Sequence, residues 1–261
     1  MKRPIVEILL SSEKRKKTLM LLQDGPREME AILRSLDTTR TALLPQMKVL
    51  KERHLVSQHD DIYELTTIGK LIVKEMASFL KIAETFGENS DYLGTHCIDF
   101  IPEYLLEKLP LLGSYDVINI PIYEMFNPDI EMYQKALKSK YWFEASSVLY
   151  PTFHDFYVQM IEHNIDISVI ITRDFYEKAK EDYYDHLKEI VDLEFISLYV
   201  YPGDLGFASL IVTDECIRFR LFTHEHILDS KKLQICGPAA LEWGKELLEY
   251  YRQQSTIITQ V

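Results

Sequence analysis

The stretch TTRTALLPQMKVLKERHLVSQHDDIYELTTIG, residues 38–69, constrains the fold of this chain more than any other. Leu43, Met47 and Leu50 recur at the spacing of one helical face. Thr38 or Thr39 can cap that helix, because a Thr hydroxyl accepts from an N–H that the first turn leaves unpaired. Leu55-Val56 then opens a strand, His59-Asp60-Asp61 makes a turn, and Tyr63-Glu64-Leu65-Thr66 returns as a second strand. Thr67-Ile68-Gly69 starts a further helix. Upstream, residues 26–36 read as another helix, with Met29, Ile32 and Leu33 inward and a tight turn at Leu36-Asp37-Thr38.

Two helices about a tight turn, followed by a hairpin, is the layout of a winged helix-turn-helix. The second helix of that layout enters the major groove, and the hairpin touches the neighbouring backbone or minor groove. The pattern therefore gives Thr39, Arg40, Thr41, Leu44, Gln46 and Lys48 as DNA contacts on the helix, with His59 and Tyr63 on the wing. Arg suits guanine, Gln suits adenine, and Thr suits phosphate or a thymine methyl. Each has a plainer alternative: Thr39 as a cap alone, Lys48 as part of a solvated face. Asp60 and Asp61 at the wing tip repel phosphate, so the wing is expected only to brush the backbone. The run Lys14-Arg15-Lys16-Lys17 is either a phosphate contact or ordinary solvent-exposed charge. Pro45 sits in the second turn of the reading helix, where an interior proline costs ~3 kcal/mol, and a mild bend is expected. His54 stands where Gly commonly ends such a helix, which calls for a strained cap or a different loop.

The charge is unevenly spread over the 261 residues, whose net charge is −12. Residues 1–86 carry fifteen Lys and Arg against twelve Asp and Glu, and the remainder carries fourteen against twenty-nine. A mildly basic N-terminal part on a strongly acidic remainder fits a chain that presents one end to a phosphate backbone. No apolar run reaches the ~18 residues of a membrane span. The start, MKRPIVEILLSSEKRKK, has too short an apolar part for a signal peptide. Cys97, Cys216 and Cys236 are scattered and odd in number, which is neither a disulfide framework nor a zinc pattern and points to a reducing cytoplasm.

The pattern continues on both sides of the reading helix. Residues 2–10 read as a short helix, and Ser12 caps a second that Asp24-Gly25-Pro26 ends. Residues 68–86 form a long amphipathic helix, through Ile68, Leu71, Ile72, Met76, Phe79 and Ile82, that could pack on a partner subunit or on the second domain. Residues 87–91 read as a linker. Beyond it, strands at 116–123, 143–149, 165–171 and 195–201 and a hairpin of 207–213 with 217–223 alternate with helices at 103–109, 131–139, 153–162, 174–191 and 238–253. The expected fold is α+β: a winged helix-turn-helix in 1–66, a linker or dimerisation helix in 67–90, and an α/β effector domain in 91–261.

Ligands of α/β sheets gather at the carboxyl ends of strands, which makes Tyr150, His154, Thr172 and Tyr201 effector candidates. Arg218 and Arg220 alternate with Ile217, Phe219 and Leu221, and Ser209 lies on the facing strand of the hairpin. The two arginines either face a pocket, where they could grip an anionic metabolite bidentately, or form an ordinary polar strand face. His224 and His226 lack a third ligand at metal-binding spacing. The residues call for no catalytic group, metal or cofactor.

The segments FIPEYLL (100–106), SSVLYP (146–151), DISVIIT (166–172) and LEWGKELLEYYR (241–252), with TALLPQMKVL and YELTTIGKL, span nearly the whole chain. In order and spacing it resembles the archaeal methanogenesis-regulator family of winged helix-turn-helix transcription factors. The resemblance implies a regulator that binds double-stranded DNA as a homodimer and senses a small molecule through its C-terminal domain. It names no effector. Where that family has Gly before Leu-Val at the wing, this chain has His54. A shorter segment, FASLIVTD (207–214), is similar in shape to the phospholipase D motif His-x-Lys-(x)4-Asp. Phe207 stands at the nucleophile and Ser209 at the lysine, and Asp214 alone remains, which implies such a sheet without its chemistry. The competing readings are a protein-interaction adaptor built on the winged domain and, more remotely, a phosphodiesterase.

Overall fold

The computed structural model describes residues 4–87, 90–125 and 127–261. The expected helix start at Lys2 and the middle of the expected linker, Glu88 and Asn89, lie outside them. The chain divides into two compact units, Met1–Glu84 and Thr85–Val261. Helix and strand are both substantial, and the fold is α+β.

The first unit contains α1 (Ile5–Leu10), α2 (Glu13–Gln23), β1 (Arg27–Glu28), α3 (Met29–Ser35), α4 (Arg40–Glu52), β2 (Val56–His59), β3 (Ile62–Leu65) and most of α5 (Thr67–Gly87). Ser12 caps α2 by accepting from the Arg15 N–H, and Thr39 caps α4 by accepting from the Ala42 N–H. The inward stripe Leu43, Met47 and Leu50 meets Leu19, Leu22, Met29, Ile32 and Leu55 in one core. Pro45 lies inside α4, which runs unbroken through it. The hairpin pairs Val56 with Leu65 and His59 with Ile62, and β1 adds to the far side of β3. That short strand corrects the reading of 26–36 as a single helix: Arg27 pairs with Tyr63, so the helix begins only at Met29. His54 ends α4 at φ 56°, the left-handed region that a Gly would occupy without strain. Its N–H donates to the Lys51 carbonyl and the Leu55 N–H to the Leu50 carbonyl.

The second unit contains α6 (Ser90–Leu93), α7 (Glu103–Leu106), β4 (Tyr115–Asn119), α8 (Ile130–Ala136), β5 (Tyr141–Ser146), α9 (Phe153–Glu162), β6 (Asp166–Thr172), α10 (Arg173–Asp182), α11 (Tyr184–Asp192), β7 (Ile196–Tyr201), β8 (Phe207–Val212), β9 (Cys216–Leu221), β10 (Lys231–Cys236), α12 (Pro238–Arg252) and β11 (Thr256–Ile257). One eight-stranded sheet runs in the order β11-β7-β6-β5-β8-β9-β10-β4. Strands β5, β6 and β7 are parallel, and the other pairs are antiparallel. The helix expected over 174–191 is two helices, because the backbone at Tyr183 leaves the helical region at φ −138°.

One face of the sheet carries α12, through Trp243, Leu247 and Tyr251 against Phe207, Leu210 and Phe219. Gly244 permits this approach, since a Cβ there would lie 2.7 Å from the Ile217 side chain. The other face packs Ile167, Val169 and Ile171 against residues of α8 to α11. Cys216 and Cys236 face each other in the β9–β10 register and form a disulfide. This corrects the expectation from cysteine spacing, because β10 was not legible as a strand and its partner could not be placed. No helix among the described residues is long and apolar enough to cross a membrane.

Candidate ligand cavity and nucleic-acid interface

A strand sends successive side chains to opposite faces, and in the second unit that rule builds a site. Along β5, β8, β9 and β10, Ala145, Leu210, Phe219 and Leu233 turn toward the α12 core. The intervening Trp142, Glu144, Ser209, Ile211, Arg218, Arg220 and Lys232 line a cavity of about 580 Å³ on the other side. Register sets Glu144 beside Ile211 beside Arg218 beside Gln234, and Ser209 beside Arg220. Tyr133 of α8, Tyr150, and Phe153, Phe156 and Tyr157 of α9 supply an aromatic wall. The volume falls within the roughly 300–1,000 Å³ typical of small-molecule sites.

The charges on the floor are not equivalent. Arg218 is 1% exposed; it donates to Asp129 Oδ2 at 2.7 Å and, through its other terminal nitrogen, to Gln234 Oε1. Lys232 Nζ donates to the same Asp129 oxygen at 2.8 Å. The other Asp129 oxygen caps α8, accepting from the Met132 N–H. Burial works against the Asp129 charge, but Arg218 and Lys232 outweigh it and hold that carboxyl below its usual range. Glu131 stands 3.7 Å from Arg218. Arg220, 5% exposed, donates to the Tyr150 hydroxyl at 2.8 Å and to the Met125 carbonyl at 3.0 Å. Burial raises the pKa of Tyr150, against the pull of Arg220, so the hydroxyl is neutral. The Nε atoms of both arginines are buried with no acceptor among the described residues.

Glu144 Oε2 accepts from Trp142 Nε1 at 2.8 Å and from the Tyr157 hydroxyl at 3.0 Å. Burial pushes this carboxyl up, and the two donors only partly oppose it. A carboxyl raised in the folded state favours folding while protonated. Its contribution is present below the ordinary value of 4.5 and is lost as pH rises through the folded value. Glu144→Gln is therefore expected to remove that loss. Urea unfolding over a pH series would show wild type weakening above pH 4.5 relative to the variant, and parallel curves would refute it.

Of the effector candidates, Tyr150, Ser209, Arg218 and Arg220 come together here, whereas His154, Thr172 and Tyr201 do not line this cavity. His154 pairs with Asp155 and Glu189 and stacks on His186. Thr172 caps α10 through the Phe175 N–H, and Tyr201 packs on Tyr251. The strand-end rule belongs to parallel sheets, and this cavity lies mainly over the antiparallel strands. Sequence reasoning missed Asp129 and Lys232, which meet the arginines only through the fold, and Glu144, whose one signal was an acid within the apolar run YWFEAS.

In the first unit, Thr39, Arg40, Thr41, Leu44 and Lys48 are exposed on or beside α4, and His59 is exposed on β2. Arg40 reaches Glu30 at 3.0 Å and Asp61 at 3.8 Å. Gln46 is half-buried: its Oε1 accepts from Arg15 Nη1 at 2.9 Å and from the Ser12 hydroxyl, which ties α4 to α2. Tyr63 is 3% exposed and belongs to the core, because it shares the inward face of β3 with Leu65. Its burial removes it from the exposed surface on which it was expected.

Residues 125–254 match the family model of the middle domain of the methanogenesis regulatory protein FilR1, and residues 4–86 match that of the HVO_A0261 N-terminal domain. Residues 125–254 belong to the FilR1 middle-domain family. The chain is 22% identical to the methanogenesis regulatory protein FilR1 of Methanothrix harundinacea (strain 6Ac), over 96% of this chain and 57% of that protein. The chain thus spans little more than half the length of this curated relative. Among solved structures it is similar to TrmBL2, described as an archaeal chromatin protein with a novel mode of DNA binding, at 12% identity and a TM-score of 0.44, covering 97% of this chain and 98% of that one. It is also similar to Nuc of Salmonella typhimurium, a phospholipase D family member, at 13% identity and a TM-score of 0.40, covering 56% and 97%. At these TM-scores neither likeness bears on function. The curated relative is described as a regulatory protein.

Proposed function

We propose that this chain is a DNA-binding transcriptional regulator whose second unit senses a small molecule. The observation that carries the reading is α4: capped by Thr39, packed by Leu43, Met47 and Leu50, and presenting Thr41, Leu44 and Lys48 outward beside a hairpin. In this reading residues 1–66 bind DNA, 67–90 link, and 91–261 sense. Helix α5 exposes Ile68, Leu71, Phe79 and Ile82, an apolar face suited to pairing with a second copy, so that two α4 helices read a two-fold operator. The proposed setting is the cytoplasm, because the DNA lies there; the Cys216–Cys236 disulfide gives that setting no support. The gripping candidates are Thr39, Arg40, Thr41, Leu44, Lys48 and His59, with Gln46 supporting them from its contacts to α2.

The test is a titration of the purified chain against its own upstream intergenic DNA and a scrambled duplex at two salt concentrations. Preference for the natural sequence, falling with salt, is the expected result. Lys48→Ala should weaken binding to both duplexes alike and flatten the log–log salt slope by about 1. No preference at either salt concentration, with Lys48→Ala unchanged, would turn the assignment toward a protein-interaction module.

A further inference from the structure

We infer that the cavity of the second unit takes a small organic anion, a carboxylate or phosphate carried on an apolar body, and that Arg220 rather than Arg218 anchors its charged group. The inference rests on the sensing role proposed above and narrows it.

A buried sheet face is ordinarily apolar, yet this one carries Arg218, Arg220 and Lys232. Two of these three cations already share the Asp129 carboxylate, with Glu131 close to Arg218. Arg220 is different. Its two partners, the Tyr150 hydroxyl and the Met125 carbonyl, are both uncharged, and it forms no ion pair among the described residues. Buried charges are stable when paired with an opposite charge, and here the missing partner is one a ligand can bring. The Nε atoms of Arg220 and Arg218 both lack an acceptor among the described residues, which marks the site as incomplete, while the absence of an ion pair is what separates Arg220. Ser209, directly across the strand pair from Arg220, adds a hydroxyl on the same face. Of the other acids on the lining, Glu124 is exposed, and Glu144, which accepts from Trp142 and Tyr157, is pushed by burial toward its neutral form and so does little to repel an anion. Opposite the charged floor stand Tyr133, Phe153, Phe156 and Tyr157, which suit a ring or short hydrocarbon body.

The experiment is calorimetric titration of the full chain with benzoate, phenyl phosphate and benzamide, the last an uncharged relative of benzoate. At least one anion should bind saturably and about tenfold or more tighter than benzamide, as a charge-assisted hydrogen bond requires. Arg220→Gln should erase that preference, and Arg220→Lys should keep part of it. The comparison of the three probes on unmodified protein stands even where a variant fails to fold. Benzamide binding as tightly as the anions overturns the inference, and so does failure of all three to bind. A second arm repeats the DNA titration with each probe at saturation. A bound anion that leaves DNA affinity unchanged removes the sensing role while the anion site stands. A response of DNA affinity to benzamide alone keeps the sensing role and overturns the anion site.

Discussion

Asp129→Ala is expected to destabilise the unit Thr85–Val261 by about 3–5 kcal/mol, the usual loss when one partner of a buried ion pair is removed. Asp129 holds two buried cations at once, Arg218 and Lys232, and also caps α8 through the Met132 N–H. Deleting the carboxylate leaves one guanidinium and one ammonium charge in the cavity floor, with the exposed Glu131 as the other carboxylate that reaches Arg218 among the described residues. The stabilisation has a definite pH dependence. Because the folded carboxyl is held below its ordinary value of 3.8, its contribution is present above that value and lost as pH falls through the folded value. Wild type should therefore lose stability in acid through this group, and Asp129→Ala should be flatter there. Urea unfolding at neutral and acid pH measures both effects. A loss below about 1 kcal/mol at neutral pH, within the range of an exposed pair, would show that Asp129 is not the counter-ion of this floor.

The second large effect is expected in the first unit. Gly69→Ala should cost about 2–4 kcal/mol, as overpacking against backbone does. A Cβ at Gly69 would lie 2.1 Å from the Leu55 carbonyl oxygen, and that oxygen is held by the Thr66 N–H. Neither atom is the free end of a side chain, so α5 and the start of the hairpin must separate. Gly87→Ala is the control, since a Cβ at Gly87 meets nothing within 4 Å. Thermal unfolding of the two variants should differ accordingly: a large fall for Gly69→Ala and none for Gly87→Ala. Equal melting temperatures would refute the contact.

The winged unit was legible because its signals are local. The stripe of Leu43, Met47 and Leu50, the Thr39 cap and the Asp60-Asp61 tip each act within a few residues. Strand β1 was hidden because two residues, Arg27 and Glu28, have no period to read and become a strand only by pairing with β3. Tyr63 was misjudged as an exposed contact for want of the hairpin register, which decides the face a strand residue takes. In the second unit the alternation around Arg218 and Arg220 was plain, but whether that face met water or a cavity depended on what covered it. The cover is α8, α9 and the segment before them, brought from nearly a hundred residues away: Arg218 and Asp129 are 89 residues apart in sequence. Lys232 and the Cys216–Cys236 bond were invisible for a related reason, since both depend on the antiparallel register of β9 with β10.

The alternation along β9 also bears on how such a chain can change over generations. Ile217, Phe219 and Leu221 belong to the core that joins the sheet to α12, while residues 218 and 220 meet only the opposite side. If the cavity holds the proposed anion, substitution at residue 220 would alter what it accepts and leave the α12 packing intact, whereas residues 218 and 232 are tied to Asp129. Under the proposed sensing role, selection for a new ligand would then proceed on one face of β9 without a parallel search for a new scaffold. Under the same proposal, chains that share this sheet, α12 and Asp129 but differ at residue 220 are expected to take different ligands.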